Sequence, residues 1–176
     1  MSAIVLRPLP YPSPKELVGL GQWRNQKGEG YVQTGVSAPN LGDIAAQKNI
    51  FQQVCYYRWN RFNITEGNHP ESIDGIKGSL DMLPMFGIQP LLGRYFTPNE
   101  MQLGHDQVAI IGHHLWQTRY GADPAILGKT IHLDEKPYTI IGVMPARFRF
   151  TWDEEMDAFV PLALTPGERS EIGRAT

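Results

Sequence analysis

The sequence predicts an α+β fold, in which strands and short helices are mixed along the chain. Segments of strand character alternate with short helices, without the regular strand–helix–strand rhythm of a parallel sheet. The chain also shows no internal repeat and no heptad pattern. Its 176 residues, 41% hydrophobic and 19% charged, suit one globular domain or two small lobes. These observations favour a mixed fold with its own hydrophobic core.

The first part of the chain predicts two short helices and two strands. Ser13 is a capping residue followed at once by proline and, three positions on, by glutamate, which begins a helical turn. Leu41, Ile44 and Ala45 share one face of a second helix. The predicted ranges are a helical turn at 13–16, a strand at 17–23, a loop at 25–30, a helix at 36–47 and a strand at 51–63.

Turn and cap signals divide the middle of the chain. A hairpin is predicted over 63–78, with its turn at EGNHP. A short helix over 79–87 ends at Gly87. Thr97 begins a further helical turn through a capping box with Glu100.

The third part predicts a buried strand, two helical segments and a hairpin. DQVAIIG (106–112) is the strand, and HHLWQTRYG (113–121) is a helix that ends at Gly121 in a left-handed conformation. DPAILG (123–128) predicts a further turn of helix. KTIHLDEKPYTIIGVMP (129–145) is the clearest hairpin of the sequence.

Side-chain alternation assigns the two sides of these last elements. Trp116 and Tyr120 lie one helical turn apart, and we expect Trp116 to anchor its part of the core. In the hairpin, Ile131 and Leu133 point to one face, and His132 points to the polar face with its neighbours. His132 is therefore interpreted as an exposed strand residue.

The adjacent pair His113–His114 raises the question of a metal or catalytic site. Successive helical residues diverge by roughly 100°, so the two imidazoles do not converge on one ion. Three further histidines, His69, His105 and His132, stand alone, and no HExxH motif occurs. We interpret the pair as solvated helix residues and expect no metal, catalytic residue or cofactor.

Three other features invite a functional interpretation that the sequence does not favour. Cys55, the single cysteine, excludes an internal disulfide and is interpreted as a buried, inert thiol. Asn63-Ile64-Thr65 matches a glycosylation pattern that arises often by chance. The acidic group Asp153, Glu154, Glu155 and Asp157 lacks the spacing and glycine of a calcium loop.

Charge and hydrophobicity exclude several classes of protein. The 16 basic and 18 acidic residues give a net charge of −2, and no basic run suggests nucleic-acid binding. No apolar run approaches a membrane span, and the start of the chain lacks the pattern of a signal peptide. Phosphate-binding and nucleophile-elbow motifs do not occur. The residues alone predict a soluble α+β domain without a recognisable site.

Four stretches in a fixed order resemble a known family. They are LPYPSPKELV (9–18), VSAPNLGDIAAQKNIFQQV (36–54), FNITEGNHPESIDGIKGSLDMLPMFGIQPLLGRYFTPNEM (62–101) and VAIIGHHLWQTRYGADPAILGKTIHLDEKPYTIIGVMP (108–145). Their order and spacing resemble the MacB-like periplasmic core domain of FtsX-type ABC transporter permeases. The resemblance covers roughly residues 9–163.

The resemblance implies a non-enzymatic extracytoplasmic domain that transmits ATP-driven conformational change and contacts partners or substrate in export. The implied partners are the permease dimer mate, a cytoplasmic ABC ATPase and, in some members, a periplasmic adaptor. Within one core domain over 1–176, it implies a porter-like part at 10–78, an inserted mixed lobe at 79–163 and a polar tail at 164–176. The alternative function is an extracytoplasmic ligand-binding or sensory module for a peptide, antibiotic or lipid; a metal-dependent hydrolase is a third.

The chain departs from the family pattern in the turn of its last hairpin. Asp134-Glu135 stands where the family commonly has Asp-Gly. A tight type I′ turn needs positive φ at both central residues, which glutamate adopts poorly. A wider turn is therefore an alternative here. The resemblance also implies a further segment beyond about Arg174 that completes the porter-like part, so we expect that part to be incomplete in these 176 residues.

Overall fold

The computed structural model describes the backbone of residues 22–26 and 30–34, residue 44, and residues 53–66, 70–146, 148 and 155–165. The strands are β1 Gln22–Gln26, β2 Gly30–Thr34, β3 Tyr57–Ile64, β4 Glu71–Gly78, β5 Leu92–Gly93, β6 Val108–Ile111, β7 Thr130–Leu133, β8 Lys136–Val143 and β9 Ala158–Pro161. The helices are α1 Met82–Met85 and α2 His113–Tyr120, with 3-10 turns at Pro98–Met101 and Pro124–Ile126. The α+β class is confirmed.

Six of the strands close into a barrel. Their order is β8-β6-β9-β4-β3-β7, and β7 pairs again with β8. The β6–β8 and β4–β9 pairs are parallel, whereas the other neighbours in the ring are antiparallel. The short strand β5 pairs with β8 at Leu92↔Val143. Closure gives each of the six strands a neighbour on both sides, which an open sheet cannot do at its edges.

Apolar side chains fill the interior of the barrel because alternate residues of each strand point inward. The buried cluster consists of Phe62, Ile64, Ile73, Ala109, Ile111, Leu115, Ile126, Ile131, Leu133, Tyr138, Ile140, Val143, Ala158 and Val160. Leu115 comes from α2, so this helix closes part of the core, with Trp116 and Tyr120 partly buried against it. Side-chain filling is the usual state of a small barrel.

A second apolar layer lies on the outer face of the barrel. Ile76, Phe159 and Ile110 follow one another across β4, β9 and β6, and all three are fully buried. Met82 of α1 packs against the backbone of Gly78, where an added Cβ would lie 2.6 Å from its sulfur. The glycine therefore lets α1 approach the sheet closely.

Most local predictions for the barrel are confirmed, although the strand predicted over 51–63 begins only at Tyr57. The hairpin β3–β4 pairs from Tyr57↔Gly78 to Ile64↔Glu71. Helix α1 is followed by Gly87 with φ of 66°, and α2 ends at Gly121 with φ of 61°. The capping box between Thr97 and Glu100 is also present.

The turn between β7 and β8 decides between the two turn types considered for Asp134-Glu135. Asp134 and Glu135 have φ of 51° and 65°, and Leu133 pairs directly with Lys136. The turn is thus the tight two-residue type, and the wider turn is wrong. The backbone N–H of Asp134 donates to the carbonyl oxygen of Asn63 at 2.9 Å, so a contact outside the hairpin stabilises this conformation.

The β1–β2 hairpin forms separately. It pairs from Gln22↔Thr34 to Gln26↔Gly30. The loop predicted over 25–30 is therefore shorter than expected, since both of its ends belong to strands. The helical turn at 13–16 lies outside the described residues, and of the helix predicted at 36–47 the described residue, Ile44, is helical.

The two-lobe architecture predicted by the resemblance is not confirmed. The chain divides into one compact unit of residues 1–8, 13–54 and 164–176 and another of residues 9–12 and 55–163. This division differs from the expected boundary after residue 78, because β4 pairs with β9 and therefore shares a barrel with the later strands. The description of the two parts as porter-like and inserted stays a prediction.

Candidate functional site

The His113–His114 pair begins α2, and its side chains have different surroundings. His113 is half-buried, and its ring meets that of Trp116 edge-on at a centroid distance of 5.6 Å. His114 is exposed. Among the described residues, no three or more His, Cys, Asp or Glu side chains come together as a metal site. That the pair binds no metal stays a prediction.

The other candidate side chains occupy separate places. His105 is exposed, and His69 lies outside the described residues. Cys55, expected to be buried, is half-buried. Its burial raises the pKa of the thiol to about 11, so the thiol is protonated at neutral pH, which favours an unreactive cysteine. Asp153 and Glu154 lie outside the described residues, whereas burial raises the pKa of the Asp157 carboxyl, against the opposing effect of His114.

Trp116 has the supporting role that its position predicts. Its ring is partly buried against the barrel cluster, and its Nε1–H donates to the carbonyl oxygen of Asp123 at 2.9 Å. This bond ties α2 to the start of the following 3-10 turn. The sequence predicted that the Trp116 ring packs against the core, but it did not predict the hydrogen-bond partner of the ring.

A group of polar contacts joins β3 to β7 at one end of the barrel. The backbone N–H of Asn63 donates to Oδ1 of Asp134 at 2.9 Å, and its Nδ2 donates to the same atom at 3.3 Å. Asn63 is also the first residue of the glycosylation-like triplet. Its side-chain amide is already engaged in this contact with Asp134. His132, expected on the polar face, is half-exposed and contacts Glu66 through Nδ1.

Arg119 of α2 reaches the same end of the barrel. Its guanidinium donates to the carbonyl oxygen of Glu66 and lies 3.5 Å from a carboxylate oxygen of Glu71. The nearby hydroxyl of Tyr120 is buried, and this burial raises its pKa. Sequence analysis did not find this cluster, because its members come from four separate segments.

A second polar contact holds the loop after β5. Both Arg94 guanidinium nitrogens donate to the Glu100 carboxylate, at 2.9 and 2.7 Å, and the Thr97 N–H donates to it at 2.8 Å. The hydrogen bonds from Arg94 hold the pKa of Glu100 below its usual value. The capping box predicted Glu100 as a cap, but its pairing with Arg94 required the tertiary structure.

One open depression lies on the outer surface beside β8. It has a volume of about 440 Å³. Its lining consists of Gly93, Arg94, Leu127, Gly128, Thr139, Ile140 and Ile141. Leu127 is 41% exposed at its rim. The lining offers an apolar surface and a single charged side chain, Arg94, which already pairs with Glu100.

No group of catalytic geometry accompanies these features in the described residues. The polar contacts described above pair Arg94 with Glu100, Arg119 with Glu71 and His132 with Glu66, and none of these pairs is a nucleophile with an adjacent base. Neither described helix has the length and hydrophobicity needed to cross a bilayer.

Two solved structures are similar in fold. The periplasmic region of MacB from Actinobacillus actinomycetemcomitans matches with a TM-score of 0.60 and 16% identity over 73% of this chain and 56% of that one. The extracellular domain of the ABC-type transporter YknZ from Gram-positive bacteria matches with a TM-score of 0.55 and 20% identity, over 68% and 60%. The chain thus spans less than two thirds of either structure.

The comparison with families agrees with this fold likeness. No curated protein matches the sequence. The model of the MacB-like periplasmic core domain, in contrast, matches residues 13–175, nearly the whole chain. The family is one of extracytoplasmic domains of transporter permeases and not a class of enzymes. The chain belongs to the family of MacB-like periplasmic core domains of ABC transporter permeases.

Proposed function

We propose that this domain transmits ATP-driven conformational change on the extracytoplasmic side of its permease and contacts partner proteins or substrate during export. The proposed partners are the permease dimer mate, the cytoplasmic ABC ATPase acting through the membrane part, and a periplasmic adaptor. No catalytic step is assigned to the domain.

The closed, filled barrel is the observation that supports transmission. Its interior side chains, such as Phe62, Ile111 and Ile140, are almost completely buried. Close-packed interiors have low compressibility and transmit strain. A domain of this construction moves as one body when force reaches it from the membrane. ATP can drive that motion only through contacts that differ between the two end states of the permease.

The alternative is a ligand-binding or sensory module, and the depression beside β8 is the observation that favours it. Its volume of about 440 Å³ falls within the roughly 300–1,000 Å³ of small-molecule sites. Such sites, however, enclose most of the ligand and present several convergent polar groups. The depression is open, and Arg94 at its edge is already paired. Transmission is therefore the better supported function.

Two changes in a permease that carries this domain separate the two functions. Cysteines engineered at exposed positions such as Leu103 and Gln117, in a Cys55→Ser background, would be screened for cross-linking to the dimer mate. For transmission, oxidation of a cross-linking pair should block export and reduction should restore it. Thr139→Trp, which fills the depression, should leave export unchanged.

A sensory or ligand-binding function predicts the opposite pattern. Thr139→Trp would then abolish the response to substrate, whereas a cross-link far from the depression would leave export intact. Thr118→Trp, on an exposed face of α2, is the matched control for the added ring. Full export from a dimer shown by electrophoresis to be cross-linked would refute transmission.

A further inference from the structure

We infer that the barrel opens locally along one line, the junction of β3 with β7, while its other strands stay paired. This junction, called the seam below, has the single register pair Ile64↔Leu133 in the described part of the chain. The inference concerns the barrel itself and does not depend on the function proposed for the permease.

The hydrogen bonds across the seam differ in kind from those of a strand ladder. The Asp134 N–H donates to the Asn63 carbonyl oxygen at 2.9 Å, as a ladder bond would. The reciprocal bond, however, runs from the Asn63 N–H to the side-chain oxygen Oδ1 of Asp134. Asp134 lies in the turn, so no backbone carbonyl supplies this acceptor. One exposed carboxylate therefore completes the closure of the barrel.

The contacts that surround this bond are also polar and are partly exposed to water, with the Glu66 and Arg119 side chains at 31% and 20% exposure. His132 contacts Glu66, and Arg119 joins the Glu66 carbonyl oxygen to the Glu71 carboxylate. The His132 and Glu71 side chains are 42% and 51% exposed. Exposed ion pairs contribute little to stability because water competes for both partners. These contacts orient the seam without holding it shut against thermal opening.

Apolar burial keeps the open form a minor state. Ile64 and Leu133 lie under the seam and are 0% and 1% exposed, and Ile131 of β7 is fully buried as well. Separating β3 from β7 would expose these side chains to water, which is unfavourable. Among the strand junctions of the described barrel, the structure therefore assigns the lowest free energy of local opening to the seam, a property that varies widely within one fold.

Hydrogen exchange of the 176-residue chain tests this assignment directly. The seam amides of Asn63 and Asp134 should exchange faster than the amides within the β3–β4 ladder. Asp134→Ala removes the side-chain acceptor and should raise seam exchange by about tenfold, the effect of losing one hydrogen bond to a charged group. Amides of the β3–β4 ladder should keep their rates.

Glu135→Ala is the matched control. It lies in the same turn, has the same sign of φ and removes the same charge, and no contact from its carboxylate to β3 is observed in the described residues. It should leave seam exchange unchanged. If Asp134→Ala prevents folding, Asp134→Asn keeps a weaker acceptor and should raise seam exchange by about threefold. Equal effects of Asp134→Ala and Glu135→Ala would overturn the inference.

A reversible cross-link gives a second, independent measurement. Two hydrogen bonds join Asn63 to Asp134 across the seam, which brings their Cβ atoms close to the separation that a disulfide spans. Asn63→Cys with Asp134→Cys, in the Cys55→Ser background, should slow exchange at the seam and in β7 when oxidised. Seam amides that exchange at the rate of the β3–β4 ladder in the wild type, with no change on oxidation, would show that the barrel opens only as a whole.

Discussion

Strand β3 has two neighbours, and it is joined to them in different ways. Toward β4 it pairs along its whole length, from Tyr57↔Gly78 to Ile64↔Glu71. Toward β7 it pairs at Ile64↔Leu133 in the described residues, and a side chain of the turn completes the junction. The same strand is thus held by a full backbone ladder on one side, and on the other by a backbone hydrogen bond together with a side-chain one.

The difference follows from how each neighbour is connected along the chain. β3 and β4 are consecutive strands of one hairpin, so their pairing is local. β7 meets β3 at the end of a different hairpin, where its own turn limits the overlap. A barrel must nevertheless close, since an open strand edge invites association with other chains. Here the Asp134 carboxylate takes the place of a ladder bond.

Helix α2 packs against the core of the barrel and contacts Glu66 beside the seam, so Trp116→Ala should have the largest effect. Truncation of a buried aromatic ring lowers the free energy of unfolding by about 3–5 kcal/mol. Because Trp116 is only partly buried, we expect a loss of about 3 kcal/mol. Chemical denaturation would measure the loss. Exchange at the seam should rise as well, because Arg119 of α2 contacts Glu66.

Trp116→Phe separates the ring from its hydrogen bond to Asp123. It should recover most of the stability that Trp116→Ala loses. A loss below about 1 kcal/mol in Trp116→Ala would mean that the ring does not support the core.

On the ladder side, Gly75 of β4 should be sensitive to added volume. An added Cβ at Gly75 would lie 2.6 Å from the carbonyl oxygen of Ala158 and 2.7 Å from the Phe62 ring. The backbone oxygen cannot move without disturbing the β4–β9 pairing, so Gly75→Ala should lower the free energy of unfolding by about 2 kcal/mol. Ser72→Ala, at an exposed position of the same strand, should change it by less than about 0.5 kcal/mol.

The more buried polar contact, between Arg94 and Glu100, should respond to pH. The Glu100 side chain is 12% exposed, and its pKa is lowered by hydrogen bonds from Arg94. A carboxyl with a lowered folded pKa adds stability above its unfolded pKa of about 4.3, and that stability is lost as pH falls through the folded value. Wild type should therefore exceed Glu100→Gln in stability at neutral pH, and the difference should shrink in acid.

Urea denaturation of both proteins between about pH 7 and pH 3 would measure this difference. Asp74→Asn is a suitable comparison, because the Arg61–Asp74 pair is exposed on both sides, at 71% and 54%. It should show little effect at any pH. A stability difference for Glu100→Gln that grows as the pH falls would contradict the assigned role.

The smallest expected effect concerns the turn at the seam. Glu135 has φ of 65°, which glycine adopts without strain. The gain of roughly 1–2 kcal/mol from relieved strain exceeds the unfolded-state entropy cost of about 0.4–1 kcal/mol. Glu135→Gly should therefore raise the free energy of unfolding by about 0.5 kcal/mol.

Asp134→Gly is the informative partner of this change. Its φ of 51° gives the same relief of strain, but the substitution removes the acceptor for Asn63. Thermal unfolding should show a stabilised Glu135→Gly and a destabilised Asp134→Gly. Stabilisation of both variants would mean that the Asp134 side chain contributes nothing at the seam.

Local signals in the sequence were sufficient wherever the interaction partner lies a few residues away. The capping box of Thr97 and Glu100, the left-handed end of α2 at Gly121 and the alternation of Ile131 and Leu133 were all predicted and are confirmed. Each depends on side-chain size, φ preference or hydrogen bonding within a single turn or strand. The α+β class followed from the same signals.

The tertiary structure alone decided the closure of the barrel and the polar contacts that complete it. Local sequence patterns cannot show the parallel pairing of Gly75 with Ala158 or the hydrogen bond from Asn63 to Asp134, because the partners are far apart in the chain. The pairing of β4 with β9 crosses the boundary expected after residue 78, and that boundary stays a prediction. The tight turn at Asp134–Glu135 was doubted because a contact that stabilises it comes from Asn63, far away in the chain. Periodicity determines which face of a strand is apolar. Which strands become neighbours depends on how the apolar faces of all the strands and helices are buried against one another.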